Sequence, residues 1–354
     1  MLKSHNSSLK AISLPAIPDT RLEQLQGWLA ARFPAGAFSL KPASTDASFR
    51  RYFRVAAEGR SWIAMDAPPE REDCRPYVRI AGLLRAAGLN APEVIAQDLR
   101  LGFLLLTDFG DTTYLAALDT GNADRLFGDA IEALLKWQLA SREDGLPAYD
   151  EALLRRECSL FPEWYVARHL GATLTAVQQR TLSDMTALIV SRNLAQSSVY
   201  VHRDYMPRNL MVTDPNPGVL DFQDAVYGPI SYDVVSLTRD AFVSWDEERV
   251  IDWTTRYWEK AKRSGLPVDL DFGAFYRDFE WMGLQRHLKV LGIFARIHYR
   301  DGKGGYLEDT PRFMRYARAV AERYRELEPL ARLFDQLENR QGAAGQAFQP
   351  DGRS

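Results

Sequence analysis

The first patterned stretch of the chain, TRLEQLQGWLAARF, sets Leu22, Leu25, Trp28, Leu29 and Phe33 at helical spacing. It predicts an amphipathic helix after Asp19. A polar loop then leads into two strand-like runs, around residues 50–56 and 61–66, separated by the turn pair Glu58-Gly59. EREDCRPYVRIAGLLRAAGLN returns to helical spacing and stops at Gly88-Leu89-Asn90, and EVIAQDLRLGFLLLTDFGD supplies two more strands. Together these elements predict a small lobe over residues 19–111.

From residue 112 the pattern is mostly helical: 124–142, 151–170, 175–195, and again from about 246 to the C-terminus. One hairpin interrupts it. Val199-Tyr200-Val201 enters a polar loop, NLMVT (209–213) and VLDFQ (219–223) read as strands, and DPNPG (214–218) as the turn between them. The expected fold class is α+β, a small β-rich lobe followed by a mostly helical one over 112–338. A chain of 354 residues is longer than one core usually organises, which agrees with two lobes. Residues 1–18, which end in Pro15 and Pro18, and 339–354 read as polar tails.

Composition changes this picture little. With 46% hydrophobic and 26% charged residues and a net charge of −3, the chain lacks the basic excess of a nucleic-acid binder. Cys74 and Cys158 are far apart and outside any CxxC spacing, so buried, inert thiols are expected rather than disulfides or a metal site. No stretch approaches the roughly 18 apolar residues of a membrane span, and the N-terminus has no signal-peptide core. The expectation is a cytoplasmic protein without membrane, nucleic acid or obligate protein partner.

The candidate chemistry sits in VHRDYMPRNLMV. His202-Arg203-Asp204, a four-residue gap and Asn209 have the spacing of a kinase catalytic loop, and the returning strand carries Asp221-Phe222. Phosphoryl transfer needs a carboxylate to orient the acceptor hydroxyl and oxygen ligands to hold metal ions on the nucleotide phosphates. Asp204 suits the first task and Asn209 with Asp221 the second. With DPNPG as the turn, residue 211 lies opposite Asp221, making Asn209 and Asp221 diagonal neighbours roughly 7–8 Å apart on one face. Singly, each could also be an ordinary turn residue or strand end. His202 is expected to hold the loop.

Asp108-Phe109-Gly110 and Ala91-Pro92-Glu93 imitate the D-F-G and A-P-E of protein kinases, but both precede the catalytic loop, where a protein kinase places them after it. Only QDAVYG separates Asp221-Phe222-Gln223 from PISYDVVSL, leaving no room for an activation loop. The small lobe has no GxGxxG before residue 60, and Met65 stands where V-A-I-K would put its lysine. Guanidinium groups of ASFRRYFRV could take over the phosphate contact, Arg51 first, then Arg50 or Arg54; alternatively they face solvent on an edge strand.

HRDYMPRN, VLDFQDA and PISYDVVSL resemble the aminoglycoside phosphotransferase family, small-molecule kinases with a protein-kinase-like fold, over about residues 20–330. Within it, SFRRYFRV, IAMDAPPE, LFPEWYVARHLG and QRHLKVLGIFARIHYRDGK are similar to bacterial kinases that phosphorylate the anomeric hydroxyl of N-acetylmuramate and N-acetylglucosamine in cell-wall recycling. The resemblance implies ATP and Mg²⁺ as cofactors, Asp204 as catalytic base, Asn209 and Asp221 as metal ligands, and Asp233 as a buried anchor of the loop. It also implies a hinge at LLLTDFG, with adenine near Thr107, Asp108 and Phe109. Arg286, Lys289, Arg296 and Arg300 recur at helical spacing, as a solvated face or as a basic group for the lactyl carboxylate, with Arg286 and His287 the candidates. Glu163 and Trp164 are candidates for a sugar-facing wall and Asp224 for a sugar hydroxyl, against core packing and turn capping. Another acceptor (an aminoglycoside, choline or homoserine) and a nucleotide-binding pseudokinase remain open at this stage.

Overall fold

The computed structural model describes residues 19–33, 37–44 and 49–346; the expected tail at 1–18 and the last eight residues, 347–354, lie outside them. Two compact units are present, one of residues up to Cys74 with Val94–Asp108, the other of Arg75–Glu93 with the chain from Phe109 onward.

In the first unit, α1 (Thr20–Ala30) is capped by Asp19, whose side chain accepts from Leu22 N. Strands β1 (Phe38–Ser44), β2 (Arg51–Ala57) and β3 (Arg60–Asp66) precede helix α2 (Cys74–Ala86), which opens the second unit, and β4 (Val94–Asp98) and β5 (Phe103–Thr107) follow it. The strands form an antiparallel sheet in the order β1-β2-β3-β5-β4. Leu25, Trp28 and Leu29 of α1 pack on Phe53, Val55, Ala64, Phe103 and Leu105, so the helical stripe legible in the sequence covers one face of the sheet. Glu58 and Gly59 both take positive φ and close the β2–β3 hairpin by a two-residue turn. Strand β1 was not expected from the sequence: FSLKPAS reads as polar loop because residues 38–43 are half-buried or exposed and include Pro42, as an edge strand tolerates.

The second unit continues with α3 (Tyr114–Ala117), α4 (Ala123–Leu139), α5 (Glu151–Leu160), α6 (Ala176–Leu194), β6 (Ser198–Val201), β7 (Leu210–Met211), β8 (Gly218–Val219), β9 (Val226–Pro229), α7 (Tyr232–Thr238), α8 (Glu247–Arg263), α9 (Phe272–Asp301), α10 (Thr310–Arg323) and α11 (Glu328–Gln346). The last helix thus runs past residue 338, beyond which the composition reads as tail. The expected single helix over 151–170 changes form instead: after α5 the backbone widens into a π-helix, Phe161–His169, with Leu170 N bonded to Tyr165 O at 2.9 Å. Helix α9 passes so close to this junction that a Cβ on Gly292 would meet the carbonyl carbon of Leu160 at 2.3 Å. Only glycine fits there.

The hairpin expected over 209–223 is shorter than that and differently registered. Leu210 pairs with Val219 and Met211 with Gly218, so residue 211 does not face Asp221. Pro215 and Pro217 have no N–H for a ladder, and Asp221 sits at φ 60, outside strand conformation. The second pair of strands, β6 with β9, was missed beyond Val199-Tyr200-Val201, as was α7 within PISYDVVSL.

Candidate active site

Strand β6 delivers the chain to His202, and the loop is then held by backbone bonds to a buried carboxylate. Asp233, at the start of α7, accepts from His202 N at 2.6 Å and Arg203 N at 3.0 Å. Burial raises its carboxyl to about 7 against the pull of those two N–H groups. Arg203 takes φ 76, and with Asp221 it accounts for two of the three non-glycine residues of positive φ among the described residues. Left-handed conformations held by surrounding bonds gather at functional sites, and here both flank Asp204 and Asn209.

His202 is fully enclosed. Its Nε2 lies 3.0 Å from Leu220 O, and Asp204 N donates to Nδ1 at 3.3 Å, a pattern satisfied by the neutral ring with its proton on Nε2. Burial lowers its pKa to about 4, so the ring stays neutral near pH 7. Asp204 O accepts from Met206 N and from Asn209 Nδ2, both at 3.0 Å, which folds residues 204–209 into a closed turn ending in a short 3₁₀ segment, Pro207–Asn209. The Asp204 carboxylate is half-buried, and among the described residues no donor bonds to it.

Asn209 Nδ2 also reaches Asp221 Oδ2 at 3.3 Å, and Gln223 Nε2 donates to Asp221 Oδ1 at 2.9 Å. The two residues meet despite the altered register, because Leu220 N bonds Asn209 O at 2.9 Å just before the chain turns at Asp221. With Nδ2 so engaged, Asn209 Oδ1 has no donor among the described residues. One carboxylate and one carboxamide oxygen form a hard-ligand set. Among the described residues no three His, Cys, Asp or Glu side chains gather as a metal site, so a cation at this pair would complete its shell with phosphate or water oxygens.

Behind the loop lies a charge cluster that the sequence reading did not single out. Glu157 of α5 is 5% exposed and receives Arg203 Nη2 at 2.5 Å, Lys289 Nζ at 3.0 Å, Gln285 Nε2 at 3.1 Å and the hydroxyl of Tyr149. Burial opposes its ionisation, but Lys289 and Arg203 outweigh that and hold its pKa at about 2. A signal was available: Glu157 falls between Leu154, Cys158 and Phe161 on the buried stripe, where a carboxylate demands partners.

The remaining candidates are dispersed. Arg51, paired in register with Asp66, bonds Asp66 Oδ2 at 2.5 Å and also engages Asp19, while Arg50 meets Glu72 at 3.3 Å and Arg54 meets Asp108 at 2.6 Å. Met65 is fully buried between Tyr52 and Leu104 of the neighbouring strands, an apolar setting for the lysine position. Thr107 ends β5, and the ring of Phe109 lies where a Cβ on Gly218 would meet it at 2.8 Å. Glu163 and Asp224 are exposed; Trp164, on the π-helix, is half-buried against the helical core. Arg286 is 2% exposed, bonded to Ser236 Oγ at 2.9 Å, and His287 is fully enclosed beside Phe313 and Tyr316. The expected basic stripe is therefore split: Arg286 and Lys289 are interior, and Arg300 is exposed. Both cysteines are buried and unpaired, and burial pushes Cys74 up to about 11 and Cys158 to about 12.

Residues 39–268 match the model of the phosphotransferase enzyme family. The N-acetylmuramate/N-acetylglucosamine kinase of Pseudomonas putida is 53% identical over 332 residues, covering 90% of this chain and 97% of its own; that of Pseudomonas aeruginosa is 52% identical over 329 residues, with the same coverage. Among solved structures, the GDP complex of aminoglycoside 2′-phosphotransferase-IIIa superposes with a TM-score of 0.58 at 15% identity, over 86% of this chain and all of that one. By this family match and these likenesses the chain belongs to the phosphotransferase enzyme family, as an enzyme of protein-kinase-like fold that transfers phosphate to a hydroxyl acceptor.

Proposed function

We propose that this enzyme uses ATP and Mg²⁺ to phosphorylate the anomeric hydroxyl of N-acetylmuramate and N-acetylglucosamine, giving the sugar 1-phosphates in cytoplasmic recycling of the cell wall. The observation that carries the catalytic part is Asp204, whose backbone is held by His202, Met206 and Asn209 while its carboxylate is left without a donor among the described residues. The choice of acceptor rests on the two Pseudomonas relatives.

In this reading the C1 hydroxyl donates to Asp204, which orients its oxygen for in-line attack. As that oxygen bonds the γ-phosphorus and the bond to the ADP leaving oxygen breaks, the hydroxyl proton passes to Asp204. Asn209 and Asp221 are the residues that would hold Mg²⁺, which when bound neutralises phosphate charge. For the nucleotide, Arg51 and Arg50 are proposed for the phosphates and the backbone of Thr107, Asp108 and Phe109 for adenine. Glu163 and Asp224 are exposed, as a sugar contact requires, and half-buried Trp164 is proposed as part of the same wall. Arg286 is assigned a supporting place instead, its Nη2 bonded to Ser236 and 3.9 Å from the sulfur of Met206 on the catalytic loop. No sugar contact is proposed for the enclosed His287.

Phosphorus NMR of the product formed from ATP, Mg²⁺ and each sugar tests the reading. A proton-coupled signal placing phosphate on the anomeric carbon is expected. Phosphate on another carbon, or no product from either sugar while ATP binds, overturns it.

A further inference from the structure

Arg208 is set apart from the other arginines around the catalytic loop. Arg203 pairs with Glu157, Arg239 with Glu247, Arg286 bonds Ser236, and Arg312 reaches Asp309 and the carbonyl of Ala241. Arg208 is exposed, and among the described residues no oxygen pairs with it. It is nevertheless positioned. Its guanidinium carbon lies 4.9 Å from the centroid of the Phe242 ring, a cation–π contact that holds the group without using an oxygen partner. The platform is itself fixed: buried Asp240 accepts from Phe242 N at 2.6 Å and Val243 N at 3.1 Å, and the Phe242 ring packs on Phe294.

The chain places this residue four positions after Asp204, the proposed base. Arg208 lies between Asp204 and Asn209 in a turn closed by Asn209 Nδ2 on Asp204 O, with Pro207 restricting the backbone just before it. N-acetylmuramate differs from N-acetylglucosamine by a lactyl ether on O3, two ring carbons from the reacting C1, and that ether ends in a carboxylate. A receptor for it must therefore stand close to the base. An arginine held on an aromatic ring and without an oxygen partner is the side chain best suited to bind carboxylate through two parallel bonds.

We propose that Arg208 is the specificity-determining residue that recognises the carboxylate of the muramic sugar. This rests on the assignment of Asp204 and the two amino-sugar acceptors made above. The test compares wild-type enzyme and R208Q on N-acetylmuramate, its methyl ester and N-acetylglucosamine. The ratio of kcat/KM for N-acetylmuramate to that for N-acetylglucosamine should fall by about tenfold to a hundredfold in R208Q, the range of one charge-assisted contact. Wild type should lose a similar factor on the ester, and R208Q should treat acid and ester alike. An unchanged ratio, or a wild-type enzyme indifferent to esterification, overturns the role of Arg208 while leaving the sugar kinase intact. A wild-type enzyme that phosphorylates neither sugar overturns both.

Discussion

Two buried carboxylates, each flanked by two cations, serve different ends in the two units. Asp66, at the end of β3 and fully buried, binds Arg51 of β2 and Arg21 of α1 and so ties helix to sheet. Arg21 and Arg51 keep 25% and 37% of their side chains exposed and can rehydrate if the carboxylate is lost. Glu157 binds Arg203 and Lys289, whose side chains are only 19% and 9% exposed, and Arg203 is the residue next to Asp204. The same ion chemistry ties helix to sheet in one place and in the other holds the residue next to Asp204, the proposed base. What separates the two is the route left for the cations to reach water, and what their backbone carries.

The sharpest break isolates the chemistry from both clusters. Asp204→Ala should lower kcat by about 10³-fold or more, within the usual worth of a positioned base, with unchanged thermal stability, since no described donor depends on that carboxylate. Steady-state kinetics and a melting curve check both halves.

Glu157→Gln should cost both activity and stability. Leaving Arg203 and Lys289 buried without their anion should destabilise by about 3–5 kcal/mol, and displacement of the loop should lower kcat by about 10²-fold. Intact kcat in the folded variant would reduce Glu157 to the status of Asp66.

Titration sharpens the contrast next. His202, lowered to about 4, contributes stability that is present above pH 6.5 and lost as pH falls through 4. Asp233, raised to about 7, runs the other way: its contribution is full below 3.8 and lost as pH rises through 7. Each is on the order of 3–4 kcal/mol, so urea midpoints of the wild type should change little between pH 6.5 and 4. Those of His202→Gln should rise as pH falls over that range. Glu157, at about 2, adds stability present above 4.5 and lost as pH falls towards 2, so the wild type should weaken below pH 4.5 more steeply than Glu157→Gln.

The smallest effect is expected at the other cluster. Asp66→Ala should cost about 1–2 kcal/mol, less than a fully buried pair because Arg21 and Arg51 reach solvent. At a temperature where the variant is folded, kcat should stay within a few-fold of wild type. A collapse of kcat would show that Asp66 acts on the chemistry as Glu157 does. A raised KM for ATP alone would favour the proposed phosphate contact of Arg51.

Much of the candidate site was legible because its parts are close in sequence. His202, Asp204, Asn209 and Asp221 lie within twenty residues, and their order on a hairpin predicts Asn209 and Asp221 as neighbours on one face. The register was not legible: prolines in the turn and the left-handed Asp221 stop the ladder after two rungs, and the meeting is made by Leu220 N on Asn209 O instead. The edge strand β1 escaped notice because one exposed face and a proline erase the alternation by which strands are recognised. Arg286 and Lys289 were read as one basic stripe with Arg296 and Arg300, since helical spacing shows which residues share a face but not what covers it.

The sequence by itself determined the elements with strong periodicity, the α1 stripe, the β2–β3 turn and the long helices, and it determined the phosphotransfer motif, because both depend on residues within a few turns or strands of one another. Only the tertiary structure decided which charges are interior. Glu157 meets Lys289 across more than a hundred residues of chain, and Arg208 is left open on Phe242 while the arginines around it find oxygen. Those outcomes follow from burial and from partners brought together by packing, and no local pattern encodes them.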